Sequence, residues 1–70
     1  MTSPRPLDDY LRQPTVWEES RDAERPFLSI VGSEFWVIKL NDYPREPLFS
    51  LIVNGTTIGD FDDWPEVWQR

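Results

Sequence analysis

The dipeptide Asn54-Gly55 places the strongest constraint on how this chain can fold. A two-residue hairpin turn needs positive φ at both central residues, which Asn tolerates and Gly adopts without a steric cost. Runs rich in apolar and β-branched residues flank the dipeptide on both sides, at 48–53 and 56–61. The pattern therefore predicts two antiparallel strands joined by this turn.

The turn also predicts the register of that hairpin. Counting outward from it places Leu51 opposite Ile58 and Phe49 opposite Asp60, because each step away from the turn pairs one residue of each strand. Gly59 interrupts the second strand at a position that permits a β-bulge or the close approach of another group.

A second hairpin is predicted around Gly32-Ser33, with strands at 27–31 and 34–40. Gly at the first central position suits a two-residue turn. The resulting register places Leu28, Ile30, Phe35 and Val37 on one face, and Phe27, Val31, Trp36, Ile38 and Leu40 on the other. Both faces are apolar, so this hairpin is either covered on both sides or leaves an apolar face exposed.

The C-terminal segment has the pattern of a short helix. Asp63 is in position to cap it, Pro65 is tolerated in a first turn, and Glu66 favours the positive end of the helix dipole. Trp64 and Trp68 would lie on one helical face, since they are four residues apart.

Residues 1–25 have a mixed pattern that predicts an N-terminal arm. Leu7, Tyr10 and Leu11 have helical spacing, but an isolated helix this short persists only if it packs on the rest of the chain. The arm therefore contains either a docked short helix or disordered chain. Residues 26–70 are expected to form one small domain. The predicted class is α+β, an antiparallel β-meander of about four strands with a short C-terminal helix.

Composition narrows the classes of function. The 70 residues include no Cys and no His, which excludes disulfides, the usual zinc sites, the commonest catalytic base and the strongest nucleophile. Carboxylates remain, but a chain of this length is too small to build a catalytic cleft around a pair of them. We therefore expect a non-enzymatic protein that has no metal and no cofactor.

The formal charge of −6 also argues against direct binding to nucleic acid, which requires a basic surface. It is compatible with binding the basic surface of another protein. No run of residues is apolar and long enough for a secretory signal or a membrane span. The expectation is a cytoplasmic protein that binds another protein and no membrane.

The candidate binding residues are acids interleaved with aromatics near the C-terminus, namely Asp60, Asp62, Asp63 and Trp64, with Trp36 and Tyr43 in the same patch or in a second one. Aromatic side chains supply buried anchors, and carboxylates supply orientation and encounter rate. These residues indicate an inhibitor or immunity-like protein. The alternative is an adaptor or accessory subunit that binds through the apolar hairpin, with a homodimer as one form of it.

Overall fold

A computed structural model describes residues 5–70 of the chain. Its elements in order are α1 (Leu7–Arg12), β1 (Thr15–Val16), β2 (Glu18–Glu19), β3 (Phe27–Val31), β4 (Glu34–Leu40), β5 (Phe49–Val53), β6 (Thr56–Phe61) and β7 (Trp68–Gln69). The protein is thus a small, mostly β domain with one short helix among the described residues. That helix is too short and too polar to cross a membrane.

The main sheet is a five-stranded antiparallel meander in the order β2-β3-β4-β5-β6. Four of these strands belong to the two predicted hairpins. The fifth, β2, was not predicted because Glu18 and Glu19 have no β pattern of their own; they pair with Leu28 and Phe27 of β3. A separate two-stranded parallel sheet joins β1 to β7.

Both predicted turns are confirmed by their backbone conformations. Asn54 has φ +51° and Gly55 φ +83°, while Gly32 has φ +62°. The register predicted for the hairpin around Gly32-Ser33 is confirmed as well, with Ile30 opposite Phe35.

The register predicted for the hairpin around Asn54-Gly55 is wrong beyond Ile52. Leu51 pairs with Gly59 and Phe49 with Phe61, so Ile58 is an extra residue in β6. This bulge has a physical reason. Without it Asp60 would oppose Phe49 on the covered face of the sheet, whereas the extra residue turns the Phe61 ring to that face and the carboxylate away from it.

The predicted C-terminal helix is also wrong. The segment after Phe61 forms turns, and Trp68–Gln69 is a strand. Strand pairing with β1 satisfies carbonyls that a helix over this segment would have left without intrahelical partners. Thr15 N donates to Val67 O at 3.3 Å, and Trp17 N donates to Gln69 O at 2.7 Å. This arrangement buries Trp68 to 3% exposure.

The core lies on one face of the main sheet, here called the inner face. Its buried apolar residues are Tyr10, Trp17, Trp36, Ile38, Phe49, Leu51, Val53, Phe61 and Trp68. Aromatic rings dominate it: Tyr10 meets Trp36 edge-on at 5.1 Å between centroids, and Trp17 lies 5.0 Å from Trp68. Such rings bury large areas, which helps a small domain to form a core.

Residues before position 26 are part of this core. Tyr10 is 1% exposed and Trp17 is 4% exposed. The domain boundary predicted at residue 25 stays a prediction, but packing and strand pairing both cross it. Residues 1–4 of the predicted arm lie outside the described residues.

Candidate functional site

The second face of the main sheet, here called the outer face, is open. It is formed by the side chains that alternate with the core residues along the strands: Glu18, Leu28, Ile30, Phe35, Val37, Lys39, Ser50, Ile52, Thr57 and Asp60. None of the other described elements covers its centre. Ile30 is 75% exposed and Phe35 is 45% exposed.

Cross-strand pairing arranges these side chains in rows. One row runs across all five strands through three half-buried apolar residues, Leu28, Val37 and Ile52. Ile30 and Phe35 form the next row toward the two turns. The outer face is therefore apolar in the middle and polar only at its margins.

An open cleft of about 500 Å³ lies on this face, where Phe35, Val37 and Ile52 form its apolar part. Two cations, Arg25 and Lys39, line it as well. Arg25 comes from the loop between β2 and β3, which is held against the end of β4 because Leu40 N donates to Glu24 O at 2.8 Å. The cleft thus combines an apolar surface with positive charge, in a chain whose net charge is negative.

Both cations remain open to further contacts. Arg25 lies 3.8 Å from Asp22, in a pair whose side chains are each 53% exposed, and exposed pairs of this kind contribute little. Lys39 is exposed and forms no ion pair with any residue from 5 to 70.

Two carboxylates stand at the margins of the outer face. Glu18 belongs to the edge strand β2, in the row of Leu28. Asp60 belongs to the opposite edge strand β6, in the row of Lys39, and accepts a hydrogen bond from the Ser50 hydroxyl. The outer face therefore carries both signs of charge.

The predicted acidic residues lie close together in sequence, but two of them have structural roles. Asp60 is bonded to Ser50, and Asp62 Oδ1 accepts a hydrogen bond from Leu48 N at 2.9 Å. Asp63 is exposed and has no hydrogen bond within the described part of the chain. No group of three or more carboxylates among residues 5–70 is arranged to hold a metal ion.

The predicted aromatic residues separate into different environments. Trp36 is 0% exposed and donates its indole N–H to Glu34 Oε1 at 3.1 Å, so its side chain is part of the core in this fold. Trp64 is half-buried, and its indole N–H donates to Trp68 O at 3.1 Å. Tyr43 is 62% exposed in the connection between β4 and β5. The structure does not bring Trp36 to the surface that holds Asp63 and Trp64.

One contact near Trp64 concerns the predicted binding surface that contains Asp63 and Trp64. The guanidinium of Arg70 lies 4.9 Å from the Trp64 ring centroid and 5.8 Å from that of Phe27. The two rings are themselves 5.0 Å apart. This aromatic pair accepts a cation.

Arg25, Lys39 and Arg70 lie outside the residues that the sequence pattern singles out. Lys39 was within reach of sequence reasoning, because the predicted register places it on the face of Phe35 and Val37. Arg25 and Arg70 reach their positions through loop paths that no local pattern encodes.

Comparison with known proteins found no matching family model, no matching curated protein and no matching solved structure.

Proposed function

We propose that this chain is a small non-enzymatic protein-binding module, an adaptor or accessory subunit, that engages another protein chain through the outer face. The exposure of Ile30 and Phe35 is the observation that supports this most. Contiguous apolar patches on a small soluble domain are typical of interaction surfaces. The charges at the margins resemble the polar rim that surrounds the apolar centre of most interfaces.

The chemistry of the outer face also suggests what the partner presents. Phe35, Val37 and Ile52 require apolar side chains opposite them, while Arg25 and Lys39 favour carboxylates beside those side chains. The expected partner surface is therefore apolar with acidic groups at its edge. Apolar contacts would supply the affinity, and the charges would supply orientation.

Affinity capture with the immobilised full chain tests this proposal. Proteins retained from a source lysate, including untagged copies of the chain itself, are identified by mass spectrometry. We expect Phe35→Ser to lose the specific partner. The matched control Val67→Ser removes a side chain that is 39% exposed outside the outer face, and it should retain the partner. A partner that binds both variants equally would contradict the proposal.

A second candidate function is supported by the contact of Arg70 with Trp64 and Phe27. In this alternative an Arg or Lys of a basic partner takes the place of Arg70 on the rings, beside the exposed Asp63, and the chain acts as an inhibitor or immunity-like protein.

The same capture experiment separates the two candidates. Binding through Asp63 and Trp64 should fall steeply with added salt and should be reduced by Asp63→Asn. Binding through apolar contacts should depend little on salt. A partner lost with salt and with Asp63→Asn, but retained by Phe35→Ser, would favour the inhibitor.

A further inference from the structure

We infer that the chain that covers the outer face is a second copy of this protein, with the two sheets packed face to face across a twofold axis. The inference rests on the proposed function, because it names the partner of the same surface.

Self-complementary charge is the first argument. In a twofold interface each copy presents the same patch, so that patch must attract itself. The outer face carries the cations Arg25 and Lys39 together with the carboxylates Glu18 and Asp60. Each copy therefore offers the acidic groups that the cleft of the other attracts, whereas a patch of one sign would repel its copy.

The chain's overall charge bears on which surface two copies can bring together. A net charge of −6 makes two copies repel each other over most of their surfaces. On the outer face the cations Arg25 and Lys39 offset most of the negative charge of the nearby carboxylates, which are Glu18, Asp60 and, 3.8 Å from Arg25, Asp22. A close approach of two copies is therefore least unfavourable there.

Layer architecture supplies the second argument. A sheet with two apolar faces is stable when each face is packed against another layer. The inner face is covered by α1 and by the segments that end in β1 and β7, and the outer face has no such cover among the described residues. Two outer faces, each with the row through Val37 and Ile52 at its centre, would pack as a sandwich about 10 Å thick.

Sedimentation analysis of the purified full chain, from about 1 to 100 µM, tests the inference. We expect a mass of two chains for the wild type. Phe35→Ser and Ile30→Lys should each raise the dissociation constant at least about tenfold, the change that corresponds to 1.4 kcal/mol. Val67→Ser should leave it unchanged. Dispersed amide NMR signals would show that each variant is folded. We expect Ile30→Lys to leave the fold of the single chain intact because Ile30 is 75% exposed.

A charge reversal tests the electrostatic part. Lys39→Glu leaves the outer face dominated by carboxylates, so it should weaken the dimer strongly at low salt. Arg12→Glu changes the net charge by the same amount on α1, away from the outer face, and it should have a much smaller effect. Equal effects of the two reversals would overturn the charge argument and the inference that depends on it.

Two other outcomes would overturn the inference. A mass of one chain at every concentration would do so, yet Phe35-dependent capture of a different protein would still support the proposed function. Dimers that persist in both Phe35→Ser and Ile30→Lys would place self-association on another surface.

Discussion

Asn54 has two separate roles in the turn between β5 and β6. Its backbone adopts φ +51°, a conformation that side chains branched at Cβ resist. Its side-chain Oδ1 accepts a hydrogen bond from Phe35 N at 2.8 Å, and its own N–H donates to Phe35 O at 2.9 Å. One residue thus shapes one hairpin and ties it to the other.

Substitutions at Asn54 can separate these roles. Asn54→Gly keeps the backbone conformation and loses the side-chain acceptor, so it should cost about 1 kcal/mol. Asn54→Val should cost a further 1 to 3 kcal/mol, roughly, because the strained backbone is added to the same loss. Urea unfolding measures the free energy of unfolding of the three proteins. We expect it to be highest for the wild type, lower for Asn54→Gly and lowest for Asn54→Val. Equal unfolding midpoints for the Gly and Val variants would contradict the role of positive φ.

Phe35 and Trp36 show how far residue-level prediction from the sequence extends. Strand alternation places these neighbours on opposite faces, and the structure agrees. Alternation does not say which face will be covered. That choice is made by residues 5–20 and 62–70, which pack on the face of Trp36 and leave Phe35 exposed. The same limit explains why Trp36 was a candidate binding residue and is a core residue in the fold.

At the scale of elements, local sequence patterns are sufficient to predict a hairpin whose geometry is determined by its turn residues. They are insufficient to predict elements that depend on distant pairing. Both hairpins follow from short-range turn chemistry. The β7 strand does not, because Trp68 pairs with Thr15, more than 50 residues away in sequence. The helical pattern from Asp63 onward was real but local, and the distant pairing outweighed it.

The contact between α1 and β6 allows a test at this scale. A Cβ added to Gly59 would lie 3.0 Å from Leu7 Cδ2 and 3.5 Å from Leu7 Cβ. Gly59→Ala should therefore destabilise the wild type by about 1 kcal/mol, since Leu7 must move. In a Leu7→Ala background only the ordinary 3.5 Å contact remains. There the change should be neutral or stabilising by about 0.5 kcal/mol, because Ala is less flexible than Gly in the unfolded chain.

Unfolding free energies of the four proteins in this double-mutant cycle measure the coupling between the two sites. A coupling energy near zero would mean that α1 does not pack against β6 at Gly59. Leu7→Ala alone serves as the control for the loss of its own apolar contacts.

At the scale of the whole molecule, contacts between the N-terminal and C-terminal segments complete the core. The Trp68 indole N–H donates to the carbonyls of Tyr10 at 3.2 Å and Gln13 at 3.0 Å. Trp17 packs on Trp68 from the same N-terminal segment. The inner face is thus covered by both ends together, and neither end covers it alone.

Deleting residues 1–25 should therefore prevent residues 26–70 from folding. The deletion removes Tyr10 and Trp17 from the core and β1 and β2 from the two sheets. Losing even one large buried aromatic side chain typically costs about 3 to 5 kcal/mol, which is most of the stability of a domain this small. We expect amide NMR signals with narrow chemical-shift dispersion from the fragment, as for an unfolded chain, and well-dispersed signals from the full chain under the same conditions. Adding a peptide of residues 1–25 should restore dispersion, because β1 and β2 pair with strands that the fragment retains. Dispersed signals from the fragment alone would mean that the inner face is stable without its N-terminal cover.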